Sequence, residues 1–468
     1  MNATTNDESF ADRLPNELLI QIFKHISPYP AELLVVTTVC SRWRSVALAA
    51  PELWSNIIVA HDMDDIPRSN MFLKRSQNSL LSIHFSHWIS LFTALPNLSD
   101  HLPRTRRLEL LFDRRDSQSR SDYKRLFTFE EDTIIPTLEH LLLHDYSWSE
   151  GFDVTILSGV SAQCLPSLRS MNLLGVLPDI SRPFLHLSYL SIHALEYASL
   201  RDIFAAAPVL TTLVLPGYSG PDGEDAMSTD DASLTVSQSL RSLAFTLFYN
   251  HSETECNCPL SRLHAPGLER LEIAGKDELR IPENAHGLLD RKKHPKLKTL
   301  RLDRLSTQTD ESTSAVPFIP SLERLELVHM DGHLTAFGSP DMPDLLAFPK
   351  LASVYLESIE LNQEHVTWLS GVGDLQARNG RGPLHVEIPK RQSEEDEGLD
   401  IVTMGPNVIV EEKHHRGLMS VQDYTIFDDY RMESDEGDWD LGYSDYEEDF
   451  FGYDDDDSVD GFDEVDMG

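Results

Sequence analysis

The sequence predicts an α/β chain: a short N-terminal helical module, then a solenoid with a parallel sheet, then an acidic disordered tail. Three observations predict it. Between Leu14 and Trp54, apolar residues recur mostly at three- and four-residue steps, the period of a helix face. From residue 78 the chain repeats an apolar residue followed by xxLxL eleven times, and the last two apolar positions, two apart, share one face of a short strand. Residues 392–468 then hold 27 Asp or Glu against 3 Lys or Arg, which leaves too little apolar content for a core.

At 468 residues and 41% apolar, the chain is long enough to bury a large core. Of its formal charge of -38, residues 392–468 carry -24 and the rest -14. The acidity is therefore chiefly a property of the tail, and it argues against nucleic-acid binding there. Cys40, Cys164, Cys256 and Cys258 make no disulfide framework, which suits a reducing compartment, cytosol or nucleus. The opening MNATTNDESFADR lacks a basic start and an apolar run, and no run reaches about eighteen apolar residues, so neither a signal peptide nor a membrane span is expected.

Residues 1–9 are expected to be disordered and residues 10–58 to form the helical module. Pro15 suits the first position of a helix and Glu17 its positive end. Leu14, Leu18, Leu19, Ile22, Phe23 and Ile26 form a stripe wider than one core face needs, and Ser27-Pro28-Tyr29-Pro30 ends it. Leu33, Leu34, Val36, Val39, Cys40, Trp43, Val46 and Ala47 continue the helical spacing until Pro51 stops it. Phe23, Val46 and Leu53 are expected in the core. A unit this small leaves apolar surface exposed, which points to a partner.

LPxELLxxIF, VCxRWRxVA and PxLW, in this order, resemble the F-box. That helical module docks substrate-recognition subunits onto the Skp-type adaptor of cullin-RING ubiquitin ligases. The resemblance covers about a tenth of the chain and implies adaptor contacts through Leu14, Pro15, Leu18, Ile22, Val39, Cys40 and Trp43. Ser41 stands where a basic residue is common.

After a connector at 59–77, the repeat units run over 78–391, from Leu80, Ile83 and Phe85 to Leu351, Val354 and Leu356. Their starts are 19 to 33 residues apart, and Pro precedes many of them, as in LPSL, APVL, HPKL and FPKL. Stacked units give a parallel sheet, with the residues between the apolar pair facing out. This array resembles a degenerate leucine-rich repeat domain, a form often paired with an F-box. Residues 217–233 read as a disordered acidic insertion, and the alternation in 382–390 as a closing strand.

Two basic clusters are the candidate target contacts: one containing Arg104, Arg106 and Arg107, the other Lys292, Lys293 and Arg301. Arg forks suit a phosphorylated or acidic segment, but Glu109, Asp113 and Asp303 dilute both clusters, which fits a solvated solenoid edge better. His251, Cys256, Cys258 and His264 match no closed zinc spacing and read as a loop. No phosphate loop, HExxH or GxSxG occurs, so no cofactor, metal or catalytic residue is expected. The resemblance implies a non-catalytic binding subunit of a Skp–cullin–F-box (SCF) ligase, with a Skp-type adaptor, a cullin complex and an unidentified protein substrate as partners and neither nucleic acid nor membrane. The alternative is a scaffold that uses the helices for another partner without ubiquitylation. The tail, whose aromatics include Trp439 and Phe450, reads as a solubiliser, an interaction segment, or a strap held against the basic clusters.

Overall fold

A computed structural model describes residues 13–26, 30–60, 64–86, 91–112, 126–127, 134–145, 155–193, 200–216, 235–247, 263–280, 289, 292–306, 318–330, 334–337, 347–359, 362–389, 404–413 and 417–418. The expected disordered N-terminus, the 217–233 insertion, His251, Cys256, Cys258 and most of the tail lie outside these residues.

Three helices open the chain, α1 (Asn16–Ile26), α2 (Pro30–Val39) and α3 (Ser41–Leu48), closed by a 3-10 turn at Pro51–Trp54. Leu19, Phe23, Leu33, Val36, Val46, Ala47, Leu53 and Trp54 form their core. The Trp54 indole donates from Nε1 to the Ala47 carbonyl at 2.8 Å. Its ring meets Phe72 of α4 (Asp65–Arg75) edge-on, with centroids 4.9 Å apart. One aromatic pair thus joins the module to the next layer.

In chain order the strands are β1 (Asn56–Val59), β2 (Leu81–Phe85), β3 (Thr105–Phe112), β4 (His140–Asp145), β5 (Thr155–Ser161), β6 (Ser170–Leu174), β7 (Val176–Asp179), β8 (Tyr189–Ile192), β9 (Thr212–Leu215), β10 (Thr235–Val236), β11 (Ser242–Leu247), β12 (Leu263–His264), β13 (Arg270–Arg280), β14 (Thr299–Ser306), β15 (Arg324–Val328), β16 (Ser353–Glu357), β17 (Leu384–Ile388) and β18 (Val408–Glu412). Among the described residues, fourteen of them form one sheet that follows chain order from β1 to β18, while β5 pairs with β7 and β10 with β12. Each strand of the large sheet lies parallel to its neighbours.

A single row of apolar residues crosses all fourteen strands in register. It runs Ile57, Ile83, Leu108, Leu141, Met171, Leu190, Leu213, Leu243, Leu271, Leu300, Leu325, Val354, Val386 and Val410. All but the partly buried Val410 are buried. A residue two further along each strand gives a second row, which includes Val59, Phe85, Leu110, Leu143 and Leu173, again buried. Pleating puts both rows on one face, so each strand adds two side chains to a continuous core. A 16-residue helix, α5 (Gln363–Arg378), caps the far end of this core with Trp368, Leu369 and Val372. Gly373 lets it approach closely, because an added Cβ would lie 2.7 Å from the Asn407 carbonyl oxygen.

The sheet exceeds the expected 78–391 span at both ends. It starts at Asn56, inside the stretch assigned to the module, and α4 occupies the expected connector. Asn-Ile-Ile-Val is too short to display the xxLxL pattern, yet its β-branched residues suit a buried strand. The strand at 384–388 does not close the sheet, because β18 pairs beyond it. Val408 and Val410 supply the alternation there, inside the stretch assigned to the disordered tail, where flanking acids mask it. Leu80, expected as an inward starter, is 50% exposed because β2 begins one residue later.

Gly175, Arg304, His329 and Ser358 have φ of 73°, 50°, 47° and 51°. Each stands four residues after its unit's member of the central apolar row, so the same left-handed backbone recurs directly after β6, β15 and β16 and, at Arg304, inside the longer β14. A non-glycine residue in this region carries about 1–2 kcal/mol of steric strain. The exposed Ser358 tests the turn: Ser358→Val is expected to unfold at lower denaturant than Ser358→Gly, by about 1–2 kcal/mol, in urea titrations of both variants.

Candidate functional site

The helical module presents its apolar residues in two classes. Along α1 the first backbone bonds run from the Leu18 and Leu19 amides to the Pro15 carbonyl, both at 3.1 Å, so Pro15 sets the start of the helix. Leu19 and Phe23 then point into the core, while Leu18 and Ile22, one turn apart, are 49% and 42% exposed. On α2 the same split recurs, with Leu33 and Val36 buried and Val35 and Val39 63% and 57% exposed. Four large apolar side chains on two adjoining helices therefore meet solvent without contributing to the fold.

Of the remaining predicted contacts, Leu14, Cys40 and Trp43 are partly buried. Cys40 caps α3, its Sγ accepting from the Trp43 amide at 3.4 Å, and the Trp43 ring lies 5.2 Å from that of Phe23. Leu14 packs against the core and Pro15 is exposed. Arg42, which the sequence reading did not single out, fixes this edge: its guanidinium donates to the Leu14 carbonyl and, at 3.1 Å, to the Asn16 side chain. The exposed Val35 and Leu48 were also not anticipated. The wide α1 stripe was the available signal that surplus apolar surface existed, but helix spacing alone did not extend it to α2.

The basic residues do not gather into one site. Arg104 donates to Ser79 O at 2.6 Å and to Ser76 Oγ at 3.0 Å, tying the end of α4 to the sheet. Arg106 is exposed and lies 3.0 Å from Glu139. Arg107 holds the buried Glu109, whose other oxygen is 2.9 Å from His84. Lys292 and Lys293 stand on the approach to β14, while Arg301 is buried within β14, 5% exposed. Of the histidines and cysteines weighed as a loop, His264 lies in β12.

Residues between the two apolar rows were expected to face out, and they are largely buried instead. In register they include His84, Glu109, Asn172, Glu272, Arg301, Glu326 and Glu387, none more than 9% exposed. Charge pairing accounts for this burial. Glu326, 1% exposed, is 3.0 Å from Arg270, 2.7 Å from Arg324 and 3.3 Å from Arg301. Burial pushes its carboxyl up, but the three guanidiniums outweigh it and hold it below the usual range. Arg324 continues to Glu387 at 2.6 Å, and Lys413 reaches the same carboxylate at 3.2 Å. A chain of alternating charge thus links β13 to β18 across the polar face.

At the other end of that face, His144 meets Asn172 at 3.2 Å. His193 lies nearby, its pKa lowered to about 4 first by burial and then by His144. Folded His193 therefore resists protonation, while the unfolded chain takes up a proton near pH 6.5. Stability is expected to fall as pH drops from about 6.5 towards about 4, and His193→Gln to flatten that fall, in thermal unfolding followed across the pH range.

Among the described residues, no helix is long and apolar enough to cross a membrane. No curated protein matches the chain. The family model of the F-box-like domain matches residues 11–60, so the helical module with its exposed Leu18, Ile22, Val35 and Val39 is an F-box-like domain, a module of protein-interaction adaptors.

Proposed function

We propose that this chain is the non-catalytic substrate-recognition subunit of an SCF-type ubiquitin ligase. Its F-box-like domain binds the Skp-type adaptor, and its sheet holds a target protein for ubiquitylation and degradation. The observation that carries this reading is the exposed apolar set on α1 and α2, on a domain too small to need it for its own core. Leu14, Pro15, Leu18, Ile22, Val39, Cys40 and Trp43 are the proposed adaptor contacts. The aromatic joint of Trp54 and Phe72, followed at once by β1, supports a stiff connection between adaptor and target, which a ligase uses to present lysines at a fixed place.

The sheet is read here as a leucine-rich-repeat-like solenoid. Chain-order strands, two apolar rows and a recurrent left-handed turn support that reading. The surface residues Arg106, Lys292 and Lys293 are proposed to meet acidic parts of the target, with Arg104, Arg107 and Arg301 setting the shape and charge of the face behind them.

The double variant Leu14→Ala, Pro15→Ala is expected to lose co-purification of the Skp-type adaptor and cullin while still folding, as followed by a cooperative thermal transition. Wild-type recovery of both partners contradicts the assignment, and recovery of neither by the wild-type chain favours the scaffold alternative.

A further inference from the structure

Gly417 lies four residues beyond Lys413, which follows β18 at the sheet edge, yet it rests against Glu272 of β13 and Arg301 of β14. Those strands are five and four positions away across the sheet. Gly417 is buried there. The Leu418 amide donates to Glu272 Oε2 at 2.6 Å, a short charge-assisted bond to a carboxylate that is itself 1% exposed. A side chain at position 417 would have to displace two buried, ion-paired side chains: an added Cβ would stand 2.6 Å from Glu272 Oε1 and 2.8 Å from Arg301 Nε. The contact is therefore made by backbone, with one glycine clearance and one captured amide.

We propose that the polar face over β13 and β14 is a binding site for a short peptide segment in which a glycine precedes a residue with a free backbone amide. The chain's own Gly417–Leu418 segment occupies this site in the free protein. This rests on the proposed function above and sharpens it: the target is a peptide of that form, and it competes with an intramolecular occupant. Glu272 selects a free amide and Arg301 walls the glycine slot. Tethering gives the internal segment an effective concentration of order millimolar, so only a target that binds well, or a change that releases the segment, takes the site.

The test uses the full-length chain alone, with a fluorescein-labelled peptide of residues 414–424, HHRGLMSVQDY, as probe in anisotropy titrations. Full-length Gly417→Val and, independently, Leu418→Pro, which removes the amide donor without altering a sheet residue, are expected to bind the probe about tenfold or more tighter than the wild-type chain. Adding Glu272→Ala, which removes the acceptor, to either variant is expected to abolish the gain, and a probe carrying Gly417→Val to bind none of them. Equal affinity of wild type and variants, or a gain that survives Glu272→Ala, overturns the proposal. Because no adaptor is present, this outcome is independent of the co-purification result.

Discussion

Every strand of the large sheet must offer an apolar side chain at the same two positions as its neighbour, and the rest of the fold follows from that requirement. Parallel pairing in register stacks the row from Ile57 to Val410, and a slip of one residue in any strand would turn its core pair to the opposite face. Loop length is then nearly free, because closing a longer loop adds only about 0.6 kcal/mol per doubling. Irregular spacing between units is tolerated for this reason, while the left-handed residue keeps its place four positions after the central row in four of the units.

The opposite face obeys a different rule. At β13, β14, β15 and β17 its middle column is charged and buried, which is costly unless each charge has partners. Glu326 shows how the cost is offset: three guanidiniums from three strands converge on one carboxylate. Such a cluster contributes less to net stability than an apolar column would, and removing one partner leaves the others stranded at about 3–5 kcal/mol. It also provides directional donors and acceptors on a surface that apolar residues would leave featureless. The capture of the Leu418 amide by Glu272 is one use of them.

Most of the fold was legible in the sequence where period and chemistry agreed. The inward positions of all eleven units, from Ile83 to Val354, fall on the observed central row. The first and last strands escaped because β1 is a four-residue strand without the repeat spacing and β18 is flanked by acids. The buried charges escaped because alternation says only that Glu272, Arg301 and Glu326 leave the apolar face; pairing between strands that are far apart in sequence decides whether they meet water. In the module, helix spacing separated Leu18 and Ile22 poorly from Leu19 and Phe23, since both pairs have the same step. The hold of Arg42 on Leu14, twenty-eight residues away in sequence, is a tertiary contact with no local signature.

In the proposed function two parts of the chain divide the work: α1 and α2 hold apolar surface that the fold does not consume, and β13 to β18 hold organised charge. The Trp54 joint and β1 leave little slack between the module and the first strand. Hydrogen exchange of the full-length chain, with and without the Skp-type adaptor, tests this division most directly. Added protection confined to Leu14–Trp43, with β13 to β18 unchanged, is the predicted result. Protection missing from α1 and α2, or spread along the sheet, would contradict it.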